Sequence, residues 1–253
     1  MKNIETPKVA QHIFEIVKDI RQSDYEGNRN ALRNQFKVLV HFSDIEPLAS
    51  KIYYWRGFAM WRIAVNGFND SADFHELDES IRMAIKEFDT ATLTDFKNTE
   101  AKIGGGACRG LLAYLHREKV PFVQELVQSA RTLLQEVELV SPENPRLLWV
   151  LGSLYWNTSL EYGGGQDKAI EQYKEGLDNL NLEGNTVVSL EPTWGKPELL
   201  MSLAWSYLNH VSPDPIKAER YAMAALKLVP DWHYMRDILL PQILEAKKKP
   251  VSS

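Results

Sequence analysis

A single cysteine, Cys108, stands in 253 residues. No disulfide can therefore form within the chain, and the count fits a reducing compartment. No run of 18 apolar residues occurs, which leaves no membrane-spanning helix to predict. The opening residues Met1 to Pro7 lack the apolar core of a signal peptide. A cytoplasmic location is expected, or a periplasmic one if a leader has been removed. Positive charge is not in excess: 29 Lys and Arg face 34 Asp and Glu, a net charge of −5. No general attraction to nucleic acid follows. Sustained period-2 alternation is also missing, and the best strand candidate, residues 186–190, reads as extended loop. The glycine-rich run 103–110 follows no strand and has neither nucleotide-binding spacing, so close helix crossing is the expectation there. The six histidines include no i, i+4 pair, and no catalytic constellation shows. An enzyme is not expected, and no metal or cofactor is implied.

Helical periodicity is what the chain does have. The apolar spacing predicts eleven helices, at about 8–23, 28–42, 46–67, 73–94, 97–117, 121–139, 144–160, 166–181, 196–210, 214–228 and 232–247. Turn residues punctuate them. Asn144 and Asp214 are suited to cap helices that Pro145 and Pro215 open. Gly163 to Gly165 is expected to end the helix before it. Residues 183–197 form the longest connection, long enough to lie ordered over a surface or groove.

One fingerprint recurs. Ala218, Ala222, Ala225 and Pro230 stand at offsets 0, 4, 7 and 12, and Ala130, Leu134, Val137 and Pro142 repeat them. Ala169, Tyr173 and Gly176 repeat the first three, as do Leu77, Ile81 and Ala84 more loosely. Each set lines one stripe of a helix. The preceding helices carry their own pattern: Leu148, Leu151, Gly152 and Tyr155, then Leu200, Leu203, Ala204 and Tyr207. Gly57 and Gly110 are aligned with the small position in the other two. Together these resemble the tetratricopeptide repeat, with the longer spacings of a bacterial subgroup that has elongated repeats. The resemblance implies an all-α, right-handed α-solenoid of antiparallel helix pairs with 10–11 helices. It divides the chain into capping helices at 1–45, four pairs at about 46–94, 97–140, 144–181 and 196–229, and a capping helix and tail at 231–253.

The resemblance also implies a function. Such repeats bind protein or peptide partners on a concave face built from the first helix of each pair. Counting outward from each small residue places Tyr54, Trp61, Arg62, Tyr114, Arg146, Trp149, Trp156, Asn157, Trp205 and Asn209 on that face. The expected groove is aromatic, with arginine and asparagine as polar anchors. Two alternatives stay open. The groove closed by residues 183–197 could enclose a small molecule, or the aromatics could be core, since seven Trp, ten Tyr and nine Phe can serve either burial or contact.

Overall fold

A computed structural model describes residues 6–180 and 190–248, which contain helices and no strand. The residues divide into two compact units. The first comprises residues 6–140 together with 190–192. Its helices are α1 (Thr6–Tyr25), α2 (Arg29–Val40), α3 (Ala49–Asn69), α4 (Phe74–Thr94), α5 (Thr99–Leu115) and α6 (Val120–Glu138). The second unit covers residues 141–180 and 193–248. It holds α7 (Pro145–Trp156), α8 (Gln166–Leu180), α9 (Lys196–Asn209), α10 (Pro215–Leu228) and α11 (Leu240–Lys248). Helices adjacent in sequence pack on one another within each unit, α3 on α4, α5 on α6, α7 on α8 and α9 on α10. Residues 183–189 of the long connection lie outside the described residues.

Local chemistry sets the helix starts. The side chains of Asn28, Asp73, Asn98, Asn144 and Asp214 each accept a hydrogen bond from a first-turn backbone N–H, which would otherwise lack a partner. At α9 a different device operates. Gly195 takes φ +137° and its N–H donates to Glu198 Oε2 at 2.8 Å.

Three features depart from the sequence reading. First, α7 ends at Trp156 rather than near residue 160. Leu160–Tyr162 forms a separate 3₁₀ turn, stopped by Gly163 at φ +77°. The Gly165 N–H then donates back to the Tyr155 carbonyl at 2.9 Å. Second, Tyr234–Leu239 is a π-helical stretch ahead of α11. Pro241 explains it: the ring has no N–H to donate and crowds the carbonyl four residues back, so the preceding turn widens. Third, the buried stripe of α4 that meets α3 runs on beyond Leu77, Ile81 and Ala84, with Leu77 against Gly67, to the inaccessible Phe88 and Ala91. Ala84, Phe88 and Ala91 thus repeat the 0, 4, 7 offsets of Leu77, Ile81 and Ala84 one step further along.

That third point follows from the small residues. The Phe88 ring lies where a Cβ on Gly57 or on Gly104 would stand, 2.9 Å and 2.5 Å away. Leu134 presses on Gly106 in the same way at 2.9 Å, and Tyr173 presses on Gly152. In each case the large residue is four past the first stripe position of its helix. The small position of α5 that faces α6 is therefore Gly106, not Gly110, which has nothing within 4 Å of a built Cβ.

Candidate functional site

Half of the expected groove residues are core. On α3, positions three before and four after Gly57 share its face, so Tyr54 and Trp61 point into the seam with α4. Their ring centroids stand 5.7 and 6.2 Å from that of Phe88, and both are buried. Arg62 is buried too. Its Nε donates to Asp24 Oδ1 on α1 at 2.7 Å, and Asn66 Nδ2 donates to the same oxygen at 2.9 Å. A polar network inside the first unit thus takes up the Arg62 charge. Tyr114, near the end of α5, is 57% exposed, with the Arg117 guanidinium 5.3 Å from its ring centroid.

On α7, Arg146 and Trp149 are likewise buried. Arg146 Nη1 donates to the Trp194 carbonyl at 3.1 Å, and Trp149 Nε1 donates to Ser202 Oγ on α9 at 2.8 Å. The rings of Trp149 and Trp194 meet edge to face at 5.5 Å. The end of the long connection therefore covers this stretch of α7 with its own indole. Tyr54, Trp61 and Trp149 fill seams between elements rather than wall a cavity, which removes the basis for a ligand enclosed by them.

Four of the ten residues remain together at a surface. Trp156 closes α7 and Trp205 lies on the neighbouring α9; both are half-buried, with ring centroids 4.9 Å apart and planes inclined at 64°. Asn157 and Asn209 flank them, both exposed. Each side-chain amide donates to its own helix four residues back, Asn157 to the Ser153 carbonyl at 2.9 Å and Asn209 to the Trp205 carbonyl at 2.8 Å. The amides are thereby held in fixed positions beside the rings. The result is an indole ledge edged by oriented polar groups, on the first helices of two successive pairs. Ser153 is exposed on the same part of α7, and Met201 and Leu208 are half-buried on α9.

No protein-family model and no curated protein sequence matches the chain. Among solved structures, the thermophilic TPR protein TTC0263 of Thermus thermophilus aligns at a TM-score of 0.62. The alignment has 16% sequence identity and covers 93% of this chain and 99% of that one. The fold is that of a tetratricopeptide-repeat protein. Yeast Tom70 aligns at a TM-score of 0.36 and 13% identity, over 87% of this chain and 53% of its own. In the tetratricopeptide-like arrangement α7 with α8 and α9 with α10 are consecutive pairs, and the ledge lies on the leading helix of each.

The remaining reactive groups have structural settings. Cys108 is fully buried on α5, and burial pushes its thiol well above the usual range. His116 is held between the edges of Phe74 and Phe122, with Nε2 2.5 Å from Asp78 Oδ1. Asp78 is thus a partner for a neighbouring segment. No group of three His, Cys, Asp or Glu able to hold a metal occurs among the described residues. No helix among them is long and apolar enough to cross a membrane. Asp24, Asn66, Arg56 and Glu87 are the polar residues that sequence reasoning misses. The available signal is their position on otherwise apolar helical stripes.

Proposed function

We propose that this protein is an interaction module that holds a partner peptide against the Trp156–Trp205 ledge of α7 and α9. The observation that carries the reading is the contrast among tryptophans. Trp55, Trp61, Trp149, Trp194 and Trp232 are buried, whereas Trp156 and Trp205 keep part of their faces open and touch one another across two helices. Indoles left half-open beside fixed amides suit an apolar or aromatic peptide side chain, with the amides meeting peptide N–H and C=O groups. The tetratricopeptide-like fold supports protein binding in general, and the domain division into four pairs is part of the same reading. Nothing in the geometry of the described residues calls for catalysis.

The test is selection of peptides from a displayed random library on the wild-type protein, followed by calorimetry of the enriched sequence. Loss of a central Trp contact costs about 2 kcal/mol or more, roughly thirtyfold in Kd. W156A/W205A should weaken the selected peptide by at least that factor. A peptide bound equally well by the double variant would overturn the assignment to this ledge.

A further inference from the structure

Helix α9 has a second face. At 100° per residue, Leu200 and Tyr207 lie about 140° and 160° around the helix from Trp205. On that side α8 and α10 both pack against α9 and leave a cleft of about 410 Å³ between them. It is lined by Lys174 of α8, Leu200 and Tyr207 of α9, and Lys217, Arg220, Tyr221 and Ala224 of α10.

The lining has an unusual charge. The chain as a whole carries five more acids than bases, yet three cations and no carboxylate line this cleft. Lys174 Nζ and Lys217 Nζ approach the same Tyr207 ring, at 5.9 and 5.4 Å from its centroid. Asp214 pairs with Lys217 at 3.1 Å but does not line the cleft. Arg220 is exposed, adding a planar guanidinium that suits a carboxylate. The floor is apolar and stiff: Leu200 is buried, and the Tyr207 and Tyr221 rings lie parallel within 2°, their centroids 5.7 Å apart.

We propose that this cleft docks an acidic segment of a partner protein, its carboxylates on Lys174, Lys217 and Arg220 and an apolar neighbour on Leu200 and the tyrosines. The volume favours a few peptide side chains over a long polyanion, which would extend onto a predominantly acidic protein. This surface goes beyond the indole ledge and does not depend on it.

The probe is a fluorescein-labelled ten-residue peptide of alternating glutamate and leucine, read by anisotropy at low salt. Controls are the glutamine-for-glutamate counterpart, a labelled ten-nucleotide oligothymidine, and unlabelled inorganic phosphate as competitor. The acidic peptide should bind saturably and the glutamine counterpart should not. K217E/R220E should weaken the acidic peptide at least tenfold, and K174Q/R220Q, a milder change, at least threefold. Thermal melts of both variants check folding; the three substituted side chains are exposed. Absence of saturable binding, undiminished binding to a folded variant, or tighter binding of oligothymidine or phosphate would overturn the proposal. A failed peptide selection on the ledge leaves this titration unaffected, so the two readings fail separately.

Discussion

Phe88 is the residue on which the first unit closes. Its inaccessible ring fills the space over Gly57 on α3 and Gly104 on α5. A Cβ at 104 would stand 2.5 Å from the ring's far carbon, and the ring has nowhere to move. Overpacking of this kind costs about 1–3 kcal/mol, more than the ~1 kcal/mol that alanine gains over glycine in a helix. G104A should therefore lower the urea midpoint, while G110A, with open space around it, should raise it. Arg62 presents a different cost. R62A removes the guanidinium that pairs with the buried Asp24 carboxylate, a loss of about 3–5 kcal/mol in chemical denaturation. Glu87 gives a pH signature. It is buried beside Arg56, and burial raises its carboxyl above the ordinary 4.5 despite the Arg56 charge. The folded state then holds the proton longer than the unfolded state does. The stability Glu87 contributes is present below pH 4.5 and is lost as pH rises through the raised value. The melting temperature of the wild type relative to E87Q should fall over that interval and then level off. A difference that grew with pH would contradict the assignment.

At the scale of elements, the Trp149 indole bond to Ser202 joins α7 to α9. W149F keeps an aromatic ring but removes the indole donor to Ser202, which retains the Tyr173 side chain as a partner, and should cost about 1 kcal/mol by thermal melt. Helix positions are largely legible in the sequence, because caps such as Asn144 and Asp214 and stops such as Pro142 are local chemistry. Register is less so. On α4 the run Leu77, Ile81, Ala84, Phe88, Ala91 satisfies the 0, 4, 7 offsets twice, and both sets pack on α3, Leu77 against Gly67 and Phe88 against Gly57, where the sequence offered only the first. Gly106 and Gly110 pose the same ambiguity on α5, one turn apart. The π-helical stretch before Pro241 escapes the periodicity, although the proline itself is a local signal. The groove is legible in part. Trp156, Asn157, Trp205 and Asn209 come together, but offsets three before and four after the small residue share its face. They carry Tyr54, Trp61 and Trp149 into helix seams, whereas Trp156, four past Gly152, is the last residue of α7 and stays half-buried.

Over the whole molecule, aromatic content and charge each divide into two uses that composition cannot separate. Five tryptophans serve the interior and two form the ledge; a net charge of −5 coexists with a cleft lined by three cations. Ionic strength should tell the surfaces apart. Binding at the ledge rests on apolar contact and should change little between about 0.05 and 0.5 M salt, whereas binding in the cleft should weaken markedly as the Debye length contracts. The most direct test of the ledge itself is an NMR titration of protein labelled with ¹⁵N at its seven tryptophans, using the library-selected peptide. The indole N–H signals of Trp156 and Trp205 should shift and saturate together, while those of the five buried tryptophans stay in place. Saturable shifts confined to the buried indoles, with Trp156 and Trp205 unmoved, would contradict the account.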